Sequence, residues 1–254
     1  MPWRIDSAAP LDTGLRERIT ARITAYDRSW SRFRADSLVA MIAQTPGSYL
    51  LPAEAAPLLA WYAELYAATA GRLSPLARAG TRAVSFADAL AWDGERLDTV
   101  RPLTLDTAAA GKGQLVDLVA EFLDAAGVSA WVIDASGDLR LRGVAGFRVA
   151  LEHPGDATQA VGVAELGDRA LAASATVRRD GQAHIVDAVT GLPRAEVLAS
   201  WAVAGDAMTA DGAATALVLG VDEGLLTRRG VAHARLYADG RLERSSDFPG
   251  ELFG

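Results

Sequence analysis

Apolar residues recur at every third or fourth position through the first third of the chain, and in alternation through much of the remainder. Leu15, Ile19, Ile23 and Tyr26 share one helical face. Asp36 or Ser37 is placed to cap a short helix carrying Leu38, Met41 and Ile42. A longer helix is predicted from about Pro52, with Leu58, Leu59, Tyr62, Leu65 and Tyr66 on one side and Gly71 as its stop. Val116, Val119, Phe122 and Leu123 predict a further helix over Gly113 to Ala126, ended by Gly127. The period then changes. Val128 to Ile133 is a short apolar strand, and Ser136-Gly137-Asp138 is a turn. Leu139 and Leu141 alternate with Arg140 and Arg142, and Phe147, Val149 and Leu151 follow the same rhythm. Further strands are expected at 160–166, 170–174, 184–187 and 197–204, then helices over Ala210 to Leu219 and Asp222 to Arg229. A closing hairpin turns at Asp239-Gly240. The pattern predicts an α+β fold with grouped helices around a mixed, largely antiparallel sheet, in one unit spanning residues 1–254.

Composition narrows the function classes. The chain has 254 residues, 50% of them hydrophobic, enough for a sizeable core. Its formal charge is −7 and no basic run stands out, which argues against nucleic acid as the main partner. With no cysteine, disulfides, thiolate metal sites and a cysteine nucleophile are excluded. The opening Met1-Pro2-Trp3-Arg4-Ile5-Asp6 lacks the order of a signal peptide, and no charge-free apolar stretch reaches about 20 residues. The expectation is a cytoplasmic protein without a membrane span, with an upstream start or an export signal left open.

Four segments carry candidate chemistry. Leu105-Asp106-Thr107-Ala108-Ala109-Ala110-Gly111-Lys112-Gly113-Gln114-Leu115-Val116-Asp117 joins small residues to a lysine at a helix start, a setting that favours phosphate. It is not a P-loop, because Asp106 replaces the first glycine and Gly113 the hydroxyl residue. A flexible strand-to-helix turn with a solvated lysine is the simpler account of these residues taken alone. In Thr209-Ala210-Asp211-Gly212-Ala213-Ala214-Thr215, Thr209 is a reasonable cap. Asp211 and Thr215 then share a helix face with two hard oxygens that suit Mg²⁺. An aspartate favoured by the helix dipole is the alternative. His184-Ile185-Val186-Asp187-Ala188-Val189-Thr190-Gly191-Leu192-Pro193 is a strand entering a turn, and His184 is one of only three histidines. It is a proton-transfer candidate or a histidine satisfied within the core. Asp134-Ala135-Ser136-Gly137-Asp138 is, taken alone, a turn.

The order and spacing of these segments resemble the ApbE family of flavin transferases. Leu105 to Asp117 is similar to L-D-L-G-A-I-A-K-G-x-x-x-D, Asp134 to Asp138 to N-A-G-G-D, His184 to Pro193 to H-I-I-D-P-x-T-G-x-P, and Ala210 to Thr215 to A-D-x-x-A-T. Upstream, Ser31 to Ser37 resembles S-x-[YF]-x-x-D-S. The resemblance implies an FAD:protein FMN transferase, which moves FMN from FAD to a threonine or serine hydroxyl of a target protein and releases AMP. It implies that Asp211, Thr215 and the carbonyl of Ala109 hold Mg²⁺. Asp106, Lys112, Ile185, Phe33, Met1 and the segment Arg72-Leu73-Ser74 would contact FAD, and His184 would move a proton.

The chain also departs from that pattern. Leu38 and Ala43 stand where a Glu and an Asn are usual, and F-D-P becomes Leu73-Ser74-Pro75. S-G becomes Ser174-Ala175, a Pro is lost at Ala188, and G-A-I reads Ala108-Ala109-Ala110. These losses fall mainly on the nucleotide side. A flavin binder without transferase activity, or an FAD pyrophosphatase making FMN and AMP, is therefore the alternative function.

Overall fold

A computed structural model describes residues 3–89, 91–176 and 185–253. Helix α1 (Thr13–Trp30) starts where the Asp12 carboxylate accepts the N–H of Leu15 at 2.9 Å, and it buries Leu15, Ile19, Tyr26 and Trp30. Ser37, not Asp36, caps α2 (Leu38–Gln44). Helix α3 (Ala55–Ala68) buries Leu58, Leu59, Tyr62 and Leu65, each worth about 1.5–3 kcal/mol. A short α4 (Phe86–Ala89) precedes α5 (Gly111–Ala125), α6 (Ala207–Leu219) and α7 (Glu223–Arg228).

The strands are β1 (Arg4–Ser7), β2 (Gly47–Leu50), β3 (Ala91–Trp92), β4 (Arg96–Thr99), β5 (Trp131–Asp134), β6 (Asp138–Arg142) and β7 (Phe147–His153). They continue as β8 (Asp156–Leu166), β9 (Ala170–Ala175), β10 (Val197–Ala204), β11 (Ala232–Tyr237), β12 (Leu242–Arg244) and β13 (Gly250–Leu252). A seven-stranded sheet runs β1-β5-β6-β9-β10-β11-β12, with every pairing antiparallel. Two three-stranded sheets run β13-β8-β7 and β2-β4-β3.

Alternation along the central strands separates two cores. Ala170, Ala172, Ala202 and Ala204 face the helices, while Leu171, Trp201 and Val203 face the sheet of β7, β8 and β13. The small residues on the first face let α6 lie close against β9 and β10, with its other sides covered by α3 and α5. Residues Thr209 to Leu219 are consequently all buried. Such a helix has no polar face, so its N–H groups and side-chain oxygens must find partners inside the protein.

Those partners come from α5. Asp117 accepts the N–H groups of Ala207 and Met208, each at 2.8 Å, and pairs with Arg140 at 2.5 Å. Asp206 accepts the Thr209 N–H at 2.7 Å, so Asp206 and not the expected Thr209 is the N-cap of α6. In return, Asp211 of α6 accepts the Gly113 N–H at 3.0 Å. It supplies the cap that Ala110, with no side-chain acceptor, cannot give α5. The crossing is close: a Cβ on Gly113 would stand 2.1 Å from the Ala207 carbonyl oxygen.

Three further sequence expectations are corrected. The first apolar strand begins at Trp131, three residues later than Val128. The segment 184–187 contributes only an isolated bridge, Val186 to Pro193, among the described residues. The N-terminal third holds β1 and β2 besides its helices.

Gly113→Ala is expected to lower stability by about 1–3 kcal/mol, measured by urea unfolding, because backbone must move to admit the methyl. Asp117 gives a second test. Burial, opposed by Arg140 and the two N–H groups, pushes its carboxyl up to about 6. The fold therefore holds a proton that the unfolded chain releases between the ordinary aspartate range and about pH 6. This contribution to stability falls as pH rises through that window. The stability of wild type minus that of Asp117→Asn should decline with it.

Candidate active site

The crossing of α5 and α6 gathers the chemistry-bearing residues. Lys112 and Gly113 lie in the first turn of α5, and Asp211 and Thr215 lie one helical turn apart on α6. The turn joining β5 to β6 closes the group from the sheet side. Ser136 (φ 59°) and Gly137 (φ 106°) adopt left-handed backbone, and the Asp134 carboxylate accepts the Ser136 N–H at 2.9 Å. This tight turn directs Asp138 inward.

Asp138 is fully buried, with its carboxyl set between Lys112 and the carboxyl of Asp211. Lys112 Nζ stands 3.2 Å from it as an ion pair and 3.4 Å from the Ser136 carbonyl oxygen. Burial, then the charge of Asp211, pushes the Asp138 carboxyl well above its usual range. Burial also raises that of Asp211, against the pull of Lys112 and the Gly113 N–H. On Lys112 burial works against the charge, yet Asp138 and Asp211 outweigh it and raise the ammonium. Two carboxyl groups and one ammonium thus share a dry site, and burial pushes both carboxyls toward the protonated form. The Thr215 hydroxyl adds a hard oxygen, 3.1 Å from Ser174 Oγ. The buried carboxyl of Asp138 beside Asp211 and Thr215 is a donor set of hard oxygens that fits a hard divalent cation such as Mg²⁺.

The remaining expected residues fall around this group in differing ways. Asp106 turns its own loop, its Oδ1 accepting the Ala108 N–H at 3.0 Å and its Oδ2 pairing with Arg32 at 3.2 Å. Arg32 also lies 4.7 Å over the Phe33 ring, which is 82% exposed. Phe33 is therefore open surface beside Asp106. The Asp106 N–H donates to the Pro75 carbonyl at 2.7 Å, which ties the 72–75 segment to the same loop. Leu73 points into the core, and Ser74 Oγ accepts the Leu76 N–H at 3.1 Å. Arg72 is 3.7 Å from Asp187, and its carbonyl accepts the Ala188 N–H. Ile185 is buried in the helix-side core, and Ala109 is half-buried in the loop before α5. Met1 and His184 lie outside the described residues.

Sequence reasoning passed over Asp138, Asp117 and Arg32. All three sat in segments already singled out, but nothing in a turn, a helix interior or a loop announces which side chain turns toward the site. Among the described residues, a different grouping also has metal-ligand spacing: Glu223, His233 and Glu243. There Arg235 already pairs with both carboxylates and Arg241 with Glu243, so positive charge occupies the place a cation would take.

Residues 1–233 match the ApbE family, and the chain belongs to it. It is 33% identical over 158 residues to a curated protein of Vibrio cholerae named FAD:protein FMN transferase, covering 57% of this chain and 47% of that protein. A Klebsiella pneumoniae protein of the same name is 30% identical over 129 residues, covering 46% of this chain and 37% of its own length. The matched stretch thus spans less than half of each of these relatives. The flavin transferase ApbE of Vibrio cholerae shares the fold, with TM-score 0.80, 24% identity, and coverage of 97% of this chain and 94% of that one. The ApbE protein of Thermotoga maritima does so with TM-score 0.81, 19% identity and the same coverage.

Replacing the buried carboxyl of Asp138 tests both stability and ligand binding. Asp138→Asn is expected to lower the melting temperature without metal, since Lys112 loses its ion-pair partner. A rise with Mg²⁺ is expected of the wild type and should shrink in the variant. A differential scanning measurement with and without Mg²⁺ reads both effects.

Proposed function

We propose that this chain is an FAD:protein FMN transferase that uses a divalent metal, Mg²⁺ by donor type. It would join the FMN half of FAD to a threonine or serine hydroxyl of a target protein. The observation that carries this reading is the dry cluster of Asp138, Asp211 and Thr215 with Lys112 at its edge. Diphosphate chemistry is served by such a site, because the reaction asks chiefly for positioning and charge neutralisation.

In this reading Asp211, Thr215 and the Ala109 carbonyl hold the metal, and Asp138 adds a carboxylate to the same charge balance. The metal, when bound, supplies neutralisation of charge on the diphosphate. Lys112 and the N-terminus of α5 orient the phosphates. Asp106, Ile185, Phe33, Met1 and the Arg72-Leu73-Ser74 segment line the nucleotide side. The acceptor hydroxyl oxygen forms a bond to the phosphorus of the FMN half, the bond from that phosphorus to the bridging oxygen breaks, and AMP departs with that oxygen. The hydroxyl proton leaves to a base, for which His184 is the candidate. Residues 1–254 act as one unit in this scheme, and a cytoplasmic setting accords with the absence of cysteine.

The 72–75 segment supports a second reading. Leu73 is turned into the core and the Ser74 hydroxyl is engaged with its own turn, so neither offers the nucleotide an aromatic ring or a carboxylate. An FAD-binding protein, or a pyrophosphatase that passes FMN to water, would follow from weakened or altered nucleotide contacts.

The test is a titration of purified protein with FAD and Mg²⁺, with and without a threonine-containing acceptor protein, reading AMP release and FMN attachment. The transferase reading expects both to depend on Mg²⁺. Asp211→Ala is expected to lower the rate by about 100-fold or more, the scale for losing a transition-state charge stabiliser. Full activity in that variant would refute the proposal. AMP release without FMN attachment would select the pyrophosphatase.

A further inference from the structure

Helix α3 sends one hydroxyl into the core behind the acidic cluster. Tyr62 is fully buried, on the face that also carries Leu58, Leu59 and Leu65. A phenylalanine would fill the same apolar space with no polar atom to satisfy. No oxygen stands at hydrogen-bonding distance to take the hydroxyl proton. The Ala109 N–H, in the loop before α5, points at the hydroxyl without closing to a full hydrogen bond. Burial, then the charges of Asp106 and Asp211, keep the group a neutral hydroxyl. A buried polar atom so poorly satisfied calls for a use at that place.

The backbone of the loop gives that use. The Thr107 carbonyl accepts the Ala110 N–H at 3.3 Å and the Gly111 N–H at 2.7 Å, closing a turn centred on Ala108 and Ala109. Neither central residue has a positive φ, so the hydrogen-bonded turn is type I, with near-helical backbone at both. In such backbone the N–H and the carbonyl of one residue point in opposite directions. Whatever holds the Ala109 N–H from the α3 side therefore aims the Ala109 carbonyl away from α3.

That carbonyl lacks its helical donor. A continuous helix would send it the Gly113 N–H, four residues on. Here the Gly113 N–H goes to Asp211 Oδ2 at 3.0 Å, while the next one, of Gln114, follows the helical rule to the Ala110 carbonyl at 3.0 Å. The break falls at Ala110, whose φ of −146° is not helical. The Ala109 carbonyl is thus left on the side of the loop where Asp211 has taken its donor.

We propose that Tyr62 is a positioning residue for the metal site. Its hydroxyl steadies the Ala109 N–H and so keeps the Ala109 carbonyl turned toward Asp211, as a ligand for the cation that Asp211 and Thr215 hold. This rests on the metal-dependent reading above and goes further in naming what orders the backbone ligand. The hydroxyl touches neither cation nor substrate, so its effect passes through Ala109.

The test is a titration of the purified full chain with Mn²⁺, a paramagnetic probe of hard-oxygen sites, without FAD, reading bound ion by electron paramagnetic resonance. The wild type is expected to bind Mn²⁺ in a site that Asp211→Ala removes. Tyr62→Phe, which deletes only the hydroxyl, should weaken that binding about tenfold, the scale for losing one buried polar contact. Thr69→Val is the control at the end of the same helix. It removes a buried hydroxyl that donates to the Leu65 carbonyl at 2.7 Å, and should lower the melting temperature while leaving Mn²⁺ affinity unchanged. Equal affinity in wild type and Tyr62→Phe, or an equal loss in Thr69→Val, would overturn the proposal. So would the absence of a site sensitive to Asp211→Ala, which would defeat the metal reading as well. A tenfold loss in Tyr62→Phe, with no AMP release from wild type given FAD, Mg²⁺ and acceptor, would defeat the transferase reading and leave the role of Tyr62 standing.

Discussion

The close crossing of α5 on α6, with each helix capping the other, is the constraint on which the site depends. Asp117 of α5 takes two N–H groups at the start of α6, and Asp211 of α6 takes one at the start of α5. Neither helix begins in water, so these orphan donors have no solvent to turn to. Gly113 is needed because the backbones meet there without room for a Cβ. Once the helices are locked in this register, Lys112, Asp211 and Thr215 fall together, and the sheet has only to deliver Asp138.

Delivery by the sheet relies on a second device. The left-handed pair Ser136 and Gly137 reverses the chain so sharply that Asp138 is both the first residue of β6 and a member of the buried cluster. Lys112 links the two by touching Asp138 and the Ser136 carbonyl. The alanines of β9 and β10 complete the arrangement by letting α6 sit low on the sheet.

Much of the fold could be read from the sequence, for reasons that differ by element. Helix α1 announces itself because Leu15, Ile19 and Tyr26 line one side of a half-exposed cylinder. Strands β6 and β7 do so because each has one wet face. Helix α6 lacks any such contrast, and its cap was misplaced because Thr209 and Asp206 are both good capping residues and only the tertiary partner of each N–H separates them. Strands β1, β2 and β4 are too short to show a period. At the site, Asp211 and Thr215 were legible from helical spacing. Asp138 was not, since inward and outward carboxylates look alike in a turn. Phe33 stands exposed with Arg32 over its ring, beside Asp106.

Asp211 and Asp138 carry unequal weight as signs of function. Asp211 has a structural duty, because the Gly113 N–H would be stranded without it, so its presence alone does not require a metal. Asp138 caps no helix. Its carboxyl is wholly buried, pairs with Lys112 and stands near a second acid. That placement costs stability unless something positive joins Lys112 beside it. Buried strain of this kind persists where the site, not the fold, requires it. The altered 72–75 segment shows the converse: Leu73 and Ser74 are absorbed into core and turn, where they serve stability and give the nucleotide little. The charge at the helix crossing and the geometry around it are thus the part of this molecule that a fold alone does not explain.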